Sequence, residues 1–169
     1  MKSLVVIVTS AVALIACATA PTRPMPPAGV PTAELNDWLD EDSDGSNGRV
    51  FAVWALNDVE VPNAARNVQR VGFGAGAGVL PYLLARPIEA KPVKVSMVGK
   101  HLVKAPIEEI TRRARGTFQS VEGVVDFSPQ PNMVYRVAGK LSAAQSEIWI
   151  EEAESRRVVS VKVTVKATP

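Results

Sequence analysis

The hydrophobic positions change texture several times along the chain. Leu4 to Ala16 is apolar apart from Thr9 and Ser10. As a helix this run reaches about 20 Å, against a bilayer core of about 30 Å, which is too short to span. It has the length of a signal-peptide h-region, with Lys2 as the positive residue before it. Ala18 to Pro31 then holds Pro21, Pro24, Pro26, Pro27 and Pro31 and little that builds a core. Such a segment favours polyproline II at about 3.1 Å per residue, a semi-rigid spacer of up to about 40 Å. Thr32 to Leu39 fits two helical turns, with Thr32 as N-cap and Leu35, Trp38 and Leu39 on one face.

From Arg49 the period becomes two. Val50 to Leu56 is a continuous apolar run, expected as a strand covered on both faces, and Asn57-Asp58 supplies turn chemistry. Val59-Glu60-Val61 resumes the alternation until Pro62 breaks it. Further strands are expected at Val93, Val95 and Met97, at Val121 to Phe127, from Met133 to Leu141, and at Glu147 to Glu151. Val159, Val161, Val163 and Val165 form the cleanest alternation of all. One helix interrupts the series. Pro106 suits its first position, Glu108 and Glu109 its first turn, Arg112, Arg113 and Arg115 its last, and Gly116 its stop. Glu108 with Arg112 and Glu109 with Arg113 are i,i+4 pairs, and Ile107, Ile110 and Ala114 give a narrow stripe for docking. The dipole accounts for the arginines; headgroup or anionic-glycan binding is their functional alternative.

The pattern therefore predicts a mainly β fold, an antiparallel β-sandwich or meander with one short helix, preceded by a signal peptide and a Pro-rich tether. The expected divisions are 1–16 signal peptide, 17–48 lipidated cysteine with Pro-rich and acidic linker, and 49–169 folded domain.

Charge narrows the partners. The chain carries 19 basic and 17 acidic residues, and the prefix takes one of the basic ones, leaving 18 − 17 = +1. That balance gives no support for nucleic acid. Cys17 is the single cysteine, so no disulfide forms within the chain. Its context, Leu14-Ile15-Ala16-Cys17, resembles the lipobox of bacterial lipoproteins. The resemblance implies diacylglyceryl on the Cys17 sulfur, cleavage just before it and acylation of the freed amine. Several acyl chains would hold the protein stably where one would not. Ala18, in place of aspartate, implies the outer membrane, with the domain on the periplasmic face. The alternative is an ordinary signal cut at Ala18-Thr19-Ala20 or Ala16-Cys17-Ala18. The first puts Pro21 after the cut, and the second discards the only thiol.

Candidate chemistry is sparse. Asp40, Asp42, Asp44 and Gly45 match the opening of a calcium loop, but position twelve falls on Phe51 in place of glutamate, so a solvated acidic linker is the better reading. Gly72, Gly74 and Ala77 meet G-x-G-x-x-A without the strand, helix and acidic residue of a dinucleotide site, and read as a bend or loop. His101 is the sole histidine, without a nucleophile elbow, and is expected in a turn or at the surface. Glu147, Glu151, Glu152 and Glu154 are expected together at a hairpin end, without a sugar platform. Trp38, Trp54 and Trp149 are expected in core packing.

The order of segments over 49–169 also resembles small β-sandwich lipoproteins of bacteria. The matching features are the strand into an Asx turn (Val50 to Asp58), the strand into a Pro loop and aromatic strand (Gly123 to Val137), and the tryptophan strand with its acidic turn (Ile148 to Glu152). The expectation is a membrane-anchored, non-catalytic binding or scaffolding protein, with a role in envelope maintenance. Its partners are the membrane, through the lipid on Cys17, and an envelope protein or glycan, with no cofactor, no metal and no catalytic residue assigned. The alternatives are a periplasmic hydrolase using His101 with a carboxylate, and a calcium-stabilised module using Asp40, Asp42 and Asp44.

Overall fold

Period-two burial organises the chain into strands. A computed structural model describes residues 25–40, 48–66, 68–71, 78–81, 83–103 and 106–166, with backbone alone for 68–71, 78–81 and 106. The elements are β1 (Thr32–Asn36), β2 (Trp38–Asp40), β3 (Arg49–Leu56), β4 (Val59–Glu60), β5 (Val68–Val71), β6 (Gly78–Pro81), β7 (Ala85–Glu89), β8 (Val93–His101), α1 (Pro106–Ala114), β9 (Ser120–Phe127), β10 (Val134–Lys140), β11 (Gln145–Glu152) and β12 (Val163–Lys166). Two five-stranded sheets pack face to face. One runs β12-β11-β10-β1-β7, the other β2-β3-β8-β9 with β4 beside β3, and β5 with β6 forms a separate hairpin.

Among the described residues, the expected mainly β fold with one short helix is what forms. It is no simple meander, because β1 pairs parallel to β10 while pairing antiparallel to β7. Between the sheets lie Leu35, Phe51, Val53, Val95, Met97, Val121, Val137, Ile148 and Ile150. β3 is covered on its other face too, where Val50 and Ala52 meet Ala64, Ala65, Val98 and Leu102. Trp54 is an extra residue in β3, since the register with β8 steps from Val53 to Ala55, and that bulge tips the strand toward its turn. Asn57 and Asp58 both take positive φ (48° and 65°), the geometry of a tight hairpin turn that asparagine and aspartate tolerate.

Residues Thr32 to Leu39 correct the helical expectation. Leu35 is enclosed in the core beside Ala33, while Thr32, Glu34 and Asn36 alternate outward. Their helical stripe was also a strand pattern, and pairing on both sides by β7 and β10 decides it. The sheets thus begin at Thr32, ahead of the alternation that is obvious from Arg49. Asp37 interrupts the run and lets β1 pass from one sheet to β2 in the other.

Two further corrections concern the ends of the chain. The Pro-rich segment is not spacer throughout: Pro31 O accepts from Ala90 N (2.8 Å), and Met25 and Pro26 line a pocket of the body. The valine series 159–165 yields only β12. Ser160 Oγ accepts the Ile150 amide (2.8 Å), so a side chain takes the ladder position, and Val161 is left 69% exposed.

Candidate functional site

Strand registers sort the residues by end. Arg49, His101 and Ser120 share one end of their sheet with Asp40, while Leu56, Val93 and Phe127 share the other. Thr32 and Val134 lie at this second end. Here Met25 and Pro26 meet Leu56, Val59, Pro87 and Val93 around a pocket of about 270 Å³. The chain therefore joins the body at one end and carries α1 at the opposite end, along strands of up to nine residues, or about 30 Å.

The far end is built from the link between β8 and β9. Helix α1 forms as expected: Glu108 pairs with Arg112 (2.7 Å) and Glu109 with Arg113 (2.8 Å). Gly116, at φ 67°, stops it, with Thr117 N donating to Arg112 O (2.9 Å) and Gly116 N to Arg113 O (3.0 Å). The stripe does not dock as expected. Ile107 is 67% exposed and Ile110 63%, while Glu108, Glu109, Thr111 and Arg112 are half-buried.

His101 is not a surface residue: it closes β8 at 8% exposure. Its Nε2 lies 2.6 Å from Gln119 Oε1, and Gln119 Nε2 donates to Gly116 O (3.4 Å). A carbonyl oxygen only accepts, so this arrangement puts the proton on Nε2. The ring thus ties the end of α1 to β8. Beside it a cleft of about 190 Å³ runs between Phe118, Gln119 and Ser120 on one side and Ser142, Ser146 and Lys166 on the other. The Ser142 hydroxyl serves the neighbouring turn, donating to Gln145 O (2.6 Å) and accepting from Gln145 N (3.1 Å).

The other candidates are dispersed. Cys17, Asp42, Asp44, Gly72, Gly74 and Ala77 lie outside the described residues. Asp40 ends β2 and faces Arg49 at 3.4 Å. The glutamates do not gather at one hairpin end. Glu147 pairs across from Lys140, toward the far end, while Glu151 and Glu152 are buried toward the near end and Glu154 is exposed in a turn. Glu151 accepts from Arg136 Nε and from Trp149 Nε1 (both 2.8 Å). The tryptophans are half-buried, each with a cation on its ring: Arg136 over Trp38 (4.2 Å), Arg66 over Trp54 (3.6 Å) and Lys162 over Trp149 (4.3 Å). These cations cover faces that a sugar would otherwise stack on.

Glu152 accepts from Arg157 and from Ser155, and these bonds hold its carboxyl below the usual range. A depressed folded pKa contributes stability above the unfolded glutamate value of about 4.3, which is lost as pH falls through the folded value. Glu152→Gln should therefore flatten the acid limb of a stability-against-pH curve while leaving the slope above pH ~5 unchanged.

Sequence reasoning missed the buried pair Asp37–Arg86, whose Oδ1 and Nη1 are 2.7 Å apart. Asp37 lies between β1 and β2 and Arg86 in β7, forty-nine positions apart, so nothing local announces that they meet. Among the described residues no group of three or more His, Cys, Asp or Glu is placed to hold a metal, and no helix is long and apolar enough to cross a membrane. Comparison with protein families, curated proteins and solved structures finds no match to the chain.

Proposed function

We propose that this protein is a lipid-anchored, non-catalytic binding or scaffolding module, held on the periplasmic face of the outer membrane through Cys17. The observation that carries the reading is the run Leu4 to Ala16 ending in Leu14-Ile15-Ala16-Cys17, with Lys2 ahead of it. The fold is compatible with such a tether, because Met25 and Thr32 lie at one end and α1 at the other. Seven residues, Ala18 to Pro24, separate Cys17 from the described body, and fully extended they reach at most about 25 Å. The spacer is thus little longer than half of what the whole Pro-rich stretch promised. The non-catalytic part of the reading is supported by the buried carboxylates, since Asp37, Glu151 and Glu152 are each held by an arginine.

Cys17→Ser tests the anchor. Labelled palmitate should enter the wild-type protein and not the variant, and the wild type should sediment with membranes after a salt wash. Label in the variant, or an unlabelled wild type, would remove the proposal.

A further inference from the structure

We propose that α1 is a second membrane contact, in which Ile107, Ile110 and Ala114, bordered by Arg113 and Arg115, lie in the interface of an anionic bilayer. The helix is turned inside out for a globular protein. Its apolar stripe faces solvent, while Glu108, Glu109 and Arg112 are half-buried. Among the described residues, the contacts that anchor the helix leave the stripe out. The helix is held by its glycine cap, by the His101–Gln119 bond at its end, and by Arg113 lying 4.3 Å over Phe118.

The wheel position of the charges indicates the occupant. At about 100° per residue, Arg113 and Arg115 fall about 90–110° from the centre of the stripe, on its two sides. Glu108 and Glu109 fall about 130° away, further round the back, so the cations border the apolar face. This is the arrangement of a helix lying in a bilayer interface, with Arg115 reaching the headgroups beside buried isoleucines. Lys140 and Lys166 are exposed at the same end of the sandwich, with Glu147 across from Lys140. A second copy of the chain is a poorer occupant, because two isoleucines and an alanine fall well short of the ~1,000 Å² of a stable interface.

Which bilayer is meant rests on the proposed anchor. With a spacer of at most about 25 Å and a body about 30 Å long, a domain lying on its side brings α1 to the membrane that holds Cys17. Tethering there raises the effective concentration, so a contact this small is enough.

The test uses a chain begun at Ala18, which holds every described residue and has neither thiol nor prefix. It therefore reads α1 independently of the anchor. In flotation with vesicles of phosphatidylethanolamine and about a quarter phosphatidylglycerol, the chain should rise with the lipid. Raising salt from about 0.1 to about 0.5 M should weaken binding several-fold. Ile107→Ser with Ile110→Ser should weaken it about tenfold or more. Both sites are exposed, so an unchanged melting temperature verifies the fold. Arg115→Gln should lower binding to these vesicles and leave weak binding to phosphatidylcholine unaltered. No flotation at millimolar lipid, or flotation that the paired serines leave intact, overturns the proposal. So does a dimer in sedimentation that the serines abolish without any vesicle binding.

Discussion

Replacing Asp37 with alanine is expected to lower the unfolding free energy by about 3–5 kcal/mol, a large part of what a domain of this size has. The carboxylate sits where β1 hands over to β2 and accepts from four groups. Val53 N reaches Oδ1 at 3.0 Å and Ala64 N reaches Oδ2 at 2.7 Å, while Arg86 donates from Nη1 at 2.7 Å and from Nη2 at 3.1 Å. Arg86 Nη2 also donates to Pro62 O at 2.9 Å, so the pair draws together β1, β3, β7 and the segment after β4. Both side chains are almost wholly buried. Removing the acid leaves a buried guanidinium unpaired and two amides without acceptors. Arg86→Met should cost a comparable amount. The double variant should lose at least ~1 kcal/mol less than the sum, because no uncompensated charge remains. It should not regain wild-type stability, since the Val53 and Ala64 amides stay unmet. Urea unfolding of the chain begun at Ala18 measures all three. A single-variant loss under about 1 kcal/mol would show that the pair is not what fixes this corner.

Gly139→Ala should be nearly as damaging, by about 3 kcal/mol, at the upper end of what overpacking costs. The Phe51 ring lies in the core between two glycines, Gly99 on the adjacent strand and Gly139 on the facing sheet. A Cβ at Gly99 would come within 2.7 Å of Phe51 Cδ1. At Gly139 it would meet both the same ring and the Glu147 carbonyl of β11, and a backbone oxygen in a ladder has nowhere to go. Phe51→Leu added to Gly139→Ala should recover part of the loss and not all of it, because the carbonyl remains in the way. Additive losses would mean that ring and glycine do not share the space.

These two sites show where the sequence is legible and where it is not. β9 could be read residue by residue, because Val121, Gly123, Val125 and Phe127 alternate inward with exposed neighbours. Helix α1 could be bounded from its own residues, since caps, dipole and i,i+4 pairs act within one turn. Thr32 to Leu39 could not be read, as its apolar residues satisfy both periods and the choice rests on distant strands. The orientation of α1, the burial of His101 and the Asp37–Arg86 pair are likewise products of tertiary placement. So is the close approach of core side chains to Gly99, Gly123 and Gly139.

The central claim is that Cys17 fixes this domain to a membrane, and the intact mass of the mature protein tests it most directly. The account predicts a chain that starts at Cys17 and carries a thioether-linked diacylglyceryl group with an acylated amine. A mass matching an unmodified chain that starts at Met1, Thr19 or Pro21 would contradict it.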